Sequence, residues 1–126
     1  DLIINNGKKL YILEKILPST SDTVIMEFSK NQMEWVKSNE LEMWSFFLDN
    51  EFLYSTNSLK FNKYTGPSPN SPGMPLEAPG GSGNYIGLQI VKSFMRRNPD
   101  KTLEDLLEFK DAQKLLELSK YKPKRR

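Results

Sequence analysis

The chain changes character between residues 70 and 91, which read NSPGMPLEAPGGSGNYIGLQIV. Half of the first fourteen residues are Pro or Gly, whereas the following residues place Ile86, Ile90 and Val91 at the spacing of an amphipathic helix. Junctions of this kind leave backbone N–H groups free beside a flexible segment, and binding sites are often built there. The passage therefore predicts a helix over about residues 84–98, preceded by a loop that acts as a lid.

The run Pro79-Gly80-Gly81-Ser82-Gly83 superficially resembles a phosphate-binding loop. Such loops carry a Gly-Lys-Ser/Thr signature or follow a hydrophobic strand, and neither feature is found here. We interpret the run as a connection into a helix in which Gly87 permits close packing, and we predict no cofactor.

Apolar residues recur three or four positions apart on both sides of this passage, and no segment alternates as a strand would. The predicted helices cover about residues 2–17, 30–37, 39–54, 84–98, 102–109 and 111–119. A loop over 55–83 and a basic, frayed tail over 120–126 complete the chain. The sequence predicts a mainly α domain of five to six helices, standing alone or as the C-terminal part of a larger one.

Three helix starts carry capping signals. Ser29 has Gln32 three residues later, which is a capping box, and Thr102 with Asp105 is a variant of it. Asp111 is the predicted N-cap of the last helix. These signals predict where the helices begin.

The chain of 126 residues contains no His and no Cys. This composition excludes Ser/His and Cys/His nucleophile arrangements, zinc fingers and HExxH metal sites from these residues, so we predict no metal ligands within them. Any catalysis would depend on Asp, Glu, Lys or Tyr. A net charge of +2 does not favour a nucleic-acid partner, and no apolar run is long enough to span a membrane.

The helix predicted over 39–54 is apolar on nearly three sides, which is typical of a central, buried helix. We predict a binding groove between this helix and the helix over 84–98, gated by the Pro/Gly loop. Its candidate residues are Glu40, Trp44, Tyr54 and Tyr85. The alternative for the aromatic residues, and for Tyr121, is a core position with the polar group at the rim.

The basic tail Lys122-Pro-Lys-Arg-Arg126 has two interpretations. It could contact anionic lipid or another subunit, with each basic residue contributing about 1 kcal/mol at an anionic surface. The simpler interpretation is a solvated terminus. The chain starts with Asp1-Leu-Ile-Ile4 inside an apolar pattern and without an initiator Met, so we expect it to be the later part of a longer protein.

The order and spacing of many short segments resemble the C-terminal half of the GldB family, the gliding-motility-associated lipoproteins of Bacteroidetes. The segments that carry the resemblance are Gly7-Lys-Lys-Leu-Tyr11, Leu17-Pro18, Gln32-Met-Glu-Trp35, Asn39-Glu40, Trp44, Leu53-Tyr-Ser-Thr56, Ser71-Pro72, Pro79-Gly80, Tyr85-Ile-Gly87, Gln89-Ile-Val91, Met95, Asn98-Pro99 and Ser119-Lys-Tyr-Lys-Pro123. The chain departs from the family at residues 79–83, where relatives are expected to read Pro-Gly-Arg-Ile-Gly.

The resemblance implies a periplasm-facing envelope lipoprotein, anchored through an acylated Cys upstream of this chain. It implies involvement in gliding motility and in the type IX secretion tied to it. We therefore expect a non-catalytic or degenerate-enzyme domain that acts through protein–protein contacts. The expected partners are envelope proteins of that machinery and an N-terminal half of the same protein. Contact with the membrane is expected only through the lipid anchor.

The family is also distantly similar to predicted zinc peptidases, which implies a zincin-like fold of which this chain would be one half. The downstream Glu-Gly that supplies a zinc ligand in such enzymes would correspond to Asn6-Gly7. The alternative function is therefore a zinc-dependent peptidase whose metal-binding half lies upstream. A third possibility is a peptide- or glycan-binding module that uses the aromatic residues.

Overall fold

A computed structural model describes residues 2–49 and 80–123 of the chain. The end of the helix predicted over 39–54, the predicted loop up to residue 79, the candidate Tyr54 and the last three residues lie outside the described part. The helices found within it are α1 (Leu2–Ile16), α2 (Asp22–Met26), α3 (Lys30–Ser38), α4 (Glu40–Asp49), α5 (Ser82–Arg97), α6 (Leu103–Glu108) and α7 (Ala112–Ser119).

The predicted mainly α class is confirmed, since these elements are all helices and the described residues contain no strand. Seven helices are described, against the five to six predicted. None of the helices in the two described stretches is both long and apolar enough to cross a bilayer.

Helices α1 and α5 cross at two glycines. A Cβ atom added at Gly87 would lie 2.9 Å from the carbonyl carbon of Ile3 and still nearer its oxygen. A Cβ atom added at Gly7 would lie 2.8 Å from the backbone nitrogen of Leu88. The two backbones therefore approach closely because neither glycine has a side chain, which agrees with the interpretation that Gly87 permits close packing.

The hydrophobic core surrounds α5. Its buried members on α5 are Tyr85, Ile86, Leu88, Ile90, Val91 and Phe94. The other helices contribute Ile3 and Ile4 from α1, Met26 from α2, Met33 and Val36 from α3, Met43 and Phe47 from α4, Leu106 from α6 and Leu115 from α7, and Phe28 joins them from the segment after α2. Because α5 is buried along most of its length, it fixes the positions of the elements around it.

The three predicted N-caps are confirmed. The Ser29 hydroxyl accepts from the Gln32 backbone N–H at 3.1 Å, and the Gln32 side chain accepts in return from the Ser29 N–H at 2.8 Å. Thr102 and Asp105 form the same reciprocal pair, and the Asp111 carboxylate accepts from the backbone N–H at position 114. Local capping chemistry thus sets the start of three helices.

The structure differs from the predicted helices in two places. Residues 22–26 form the short helix α2, which no prediction included because a single turn has too few residues to show helical spacing. Helix α5 begins at Ser82 and not at residue 84, so residues 82 and 83 do not belong to the predicted loop. Gly81 is the N-cap of α5, and it adopts a left-handed backbone conformation (φ 79°) that glycine tolerates easily. The helix therefore starts at the next residue.

Lys8 is a buried cation in α1, with 7% of its surface exposed. Its ammonium group donates a hydrogen bond to the carbonyl oxygen of Phe109, just after α6. Desolvation by burial lowers the pKa of Lys8 from its usual value, and the nearby charge of Lys110 lowers it further. The hydrogen bond ties α1 to the end of α6.

Candidate functional site

A pocket with a volume of about 470 Å³ opens where the end of α3, the start of α4, the second half of α5 and the C-terminal residues meet. The described residues that line it are Lys37, Glu40, Gln89, Ser93, Arg96, Arg97, Lys120, Tyr121, Lys122 and Pro123. The predicted groove between the 39–54 and 84–98 helices falls in this region. Among the described residues, the C-terminal segment, residues 120–123, forms one wall of the pocket.

Five of the lining residues are cations and one is a carboxylate. The cations are Lys37, Arg96, Arg97, Lys120 and Lys122. The last four of them form no ion pair with any carboxylate in the described part of the chain. Because one carboxylate offsets only one of the five positive charges, the pocket is a site of positive potential.

The two arginines of the pocket also stabilise the end of their own helix. Arg96 and Arg97 lie in the last turn of α5, where the partial negative charge of the helix C-terminus favours cations. Lys37 occupies the last turn of α3 for the same reason. Two helix ends therefore converge on the pocket and bring their cations with them.

Residues 120–123 follow the end of α7, which is hydrogen-bonded to α5 and to Tyr121. The Ser93 hydroxyl donates to the carbonyl oxygen of Ser119 at 2.6 Å, and the Ser119 hydroxyl accepts from the backbone N–H of Tyr121 at 3.1 Å. Lys120 turns the chain in a left-handed conformation (φ 50°), and Pro123 is buried. Within the predicted tail, residues 120–123 therefore pack against the helices, with Tyr121 hydrogen-bonded and Pro123 buried.

Tyr121 connects this C-terminal segment to α4. Its hydroxyl donates to Oε2 of Glu40 at 2.6 Å, and its ring packs edge-on against Trp44 with centroids 4.8 Å apart. Burial raises the pKa of the Tyr121 hydroxyl far above its usual value, and the hydrogen bond to the Glu40 carboxylate raises it further. The phenol is therefore a neutral, fixed donor, and it holds Glu40 at the pocket wall.

The four predicted site residues have different places in the structure. Glu40 lines the pocket, while Trp44 packs behind it against Tyr121. Tyr85 is only 6% exposed and belongs to the core. Tyr54 lies outside the described residues.

The sequence-based prediction omitted the residues that give the pocket its charge. Arg96 and Arg97 are not among the predicted site residues, and Lys120 and Lys122 fall in the predicted tail. A usable signal was present, because an Arg pair and a Lys-Tyr-Lys segment are two concentrations of cations within one short domain. Their meeting in space depends on a tertiary contact that no local pattern encodes.

The position that would match a zinc ligand in the distantly similar peptidases does not suit a metal. The side-chain amide of Asn6 donates to Oδ1 of Asn84 at 3.0 Å, and Gly7 is packed against α5. No group of three or more acidic, His or Cys side chains among the described residues could hold a metal ion. The pair Asn6-Gly7 serves the contact between α1 and α5.

We predict that Tyr121→Phe lowers the free energy of unfolding at pH 7 by about 1–2 kcal/mol, because the Glu40 carboxylate loses its donor. The raised pKa of Tyr121 in the folded state means that this stabilisation is complete below the unfolded-state value of about 10 and is lost as pH rises above it. Urea unfolding should therefore show that the unchanged chain and Tyr121→Phe differ less in free energy of unfolding at about pH 11 than at pH 7.

The matched control is Tyr11→Phe, a half-buried tyrosine on α1 whose hydroxyl has no hydrogen-bond partner among the described residues. It should change the free energy of unfolding by less than about 0.5 kcal/mol. An effect of Tyr121→Phe that stays the same at both pH values would contradict the hydrogen bond between Tyr121 and Glu40.

No curated protein and no solved structure matches the chain. One family model, described as gliding motility protein GldB, matches residues 1–123 and so leaves only the last three residues unmatched. The chain belongs to the GldB family of gliding motility proteins.

Proposed function

We propose that this chain is a non-catalytic domain of an envelope lipoprotein that supports gliding motility and type IX secretion through protein–protein contacts. Membership of the GldB family supports the link to motility, and the name of the family model, GldB_lipo, supports a lipoprotein. Attachment through an upstream lipid anchor and a periplasm-facing position are parts of the same proposal. The cationic pocket is the surface that we propose for the contact.

The observation that carries the proposal is a concave wall of cations, four of which form no ion pair with the residues that the structure describes. Arg96 and Arg97 stand on α5, whose buried face is the centre of the core, and Lys120 and Lys122 flank the anchored Tyr121. Mutual repulsion of these charges opposes folding. A surface of this kind is favourable when a partner of opposite charge offsets the repulsion.

The groups in the pocket suit binding better than covalent chemistry. The Ser93 hydroxyl donates to the carbonyl oxygen of Ser119, an acceptor that cannot activate it as a nucleophile. The Glu40 carboxylate accepts from Tyr121 and is held at the wall. Lysine, arginine and glutamine side chains instead offer many donors to a ligand that brings acceptors.

The cellular test reverses two charges of the pocket in the full-length lipoprotein. We predict that Arg96→Glu with Arg97→Glu abolishes colony spreading and stops the movement of single cells on glass, because the partner no longer binds. Movement is measured by time-lapse microscopy, and the amount of the protein by immunoblotting. The control, Lys9→Glu with Lys114→Glu, makes the same change of net charge at exposed positions outside the pocket and should leave movement intact.

Normal gliding by cells that contain the Arg96→Glu, Arg97→Glu protein at the wild-type level would overturn the proposed role of the pocket. Equal loss of gliding in the control would show that net charge, and not the pocket, is what the cell requires.

A further inference from the structure

We infer that the cationic pocket binds an acidic peptide segment of a partner protein, one that carries several closely spaced Asp or Glu side chains. This inference rests on the proposed function and adds the chemistry of the partner to it. It depends on the charge, the layout and the one carboxylate of the pocket.

The charge of the pocket selects for an anionic ligand. Five cations face one carboxylate, and four of the cations have no ion pair among the described residues. A single exposed ion pair contributes at most about 1 kcal/mol, so one carboxylate would bind weakly. Several carboxylates on one ligand would engage the cations together and gain from the repulsion that they relieve.

The layout of the cations suits a chain better than a small ion. Lys37 comes from α3, Arg96 and Arg97 from α5, and Lys120 and Lys122 from the C-terminal segment, so the charges surround a volume of about 470 Å³. A compact inorganic anion can contact only some of these elements at once. A peptide extends across the pocket and can present carboxylates to both arginines, which bind them in a bidentate manner.

Glu40 distinguishes a peptide from a phosphate group or an anionic membrane. Its Oε2 accepts from Tyr121, while Oε1 has no partner in the described part of the chain. A bare anion would be repelled by this carboxylate. A peptide also brings backbone N–H donors, which Oε1 and the side-chain carbonyl of Gln89 can accept. The pocket is concave, and a peptide chain can enter a concave site more easily than the flat surface of a bilayer can.

The test uses the purified chain and a fluorescein-labelled peptide of eight alternating Asp and Glu residues, with an Asn/Gln peptide of the same length as the neutral control. Fluorescence anisotropy at about 0.15 M salt, where longer-range attraction is screened, should show saturable binding of the acidic peptide only. Arg96→Glu with Arg97→Glu should weaken binding at least about tenfold, whereas Lys9→Glu with Lys114→Glu should change it less than about twofold.

Circular dichroism shows whether each variant is folded. Acidic residues at the end of α5 oppose the helix dipole, so Lys122→Glu, at an exposed position outside the helices, is the second test variant and should weaken binding about threefold or more. Unchanged binding by a folded pocket variant would overturn the inference, as would equal binding of the neutral peptide.

Two further probes identify the chemistry of the ligand. Inorganic phosphate at millimolar concentration should fail to displace the peptide, and vesicles of anionic phospholipid should not bind the chain through Arg96 and Arg97. Displacement by phosphate, or vesicle binding that the double substitution removes, would overturn the peptide in favour of a phosphate-bearing ligand. Failure of the peptide test together with loss of gliding in the double variant would leave the proposed function standing. If the unchanged chain binds the peptide but cells that contain the Arg96→Glu, Arg97→Glu protein glide normally, the proposed function is refuted instead.

Discussion

Gly87→Ala is expected to lower the free energy of unfolding by about 2 kcal/mol, although alanine is the better helix former. Helix propensity alone would stabilise α5 by about 1 kcal/mol. The new Cβ atom, however, would meet the carbonyl group of Ile3, and backbone atoms of a packed helix cannot rotate away as a side chain can. Overpacking of this kind typically costs about 1–3 kcal/mol, and the upper end applies because α1 and α5 must separate.

Equilibrium urea unfolding followed by far-ultraviolet circular dichroism measures this change. Asn5→Ala is the matched control, since Asn5 is an exposed position in α1 where alanine improves helix propensity without meeting another element. The control should stabilise the chain by a few tenths of a kcal/mol. A stabilising effect of Gly87→Ala would show that the two helices do not cross at these glycines.

Local sequence features predicted much of the fold. The capping box at Ser29 and Gln32 works between residues three positions apart, so its outcome does not depend on the rest of the molecule. Gly7 shows the limit of local reasoning, because a glycine inside a helical pattern normally weakens a helix. Helix α1 continues through it, since the absent side chain is what allows α5 to pack there.

The candidate site was predicted less completely, for the same physical reason. Glu40 and Trp44 stood out because the start of a helix and an aromatic stripe are visible in the sequence. Tyr121, which joins them, is 81 positions away from Glu40, and it lies there because Ser93 holds the end of α7 and Ser119 holds the backbone of Tyr121. Contacts between distant residues depend on the packing of several helices, and one sequence contains no direct signal for them.

Phe94→Ala is expected to lower the free energy of unfolding by about 4 kcal/mol, a large part of the total for a domain of this size. The Phe94 ring is fully buried and packs edge-on against Phe109 with centroids 5.2 Å apart. Its removal would lose apolar burial and leave a cavity beneath the last turn of α5. Urea unfolding measures the change, and Leu107→Ala, at a position that is 52% exposed, should cost less than about 1 kcal/mol.

Phe94 also lies in the turn of α5 that carries the two arginines of the pocket. Arg96 and Arg97 follow Phe94 in one turn of α5, and the carbonyl oxygen of Phe94 accepts from the Asn98 side chain at 2.8 Å. A double-mutant cycle between Phe94→Ala and Phe109→Ala should give a coupling free energy of about 1 kcal/mol, as expected of an aromatic pair. A coupling near zero would mean that the two rings are not in contact. The end of α5, with its two arginines, would then lack the aromatic support that we describe.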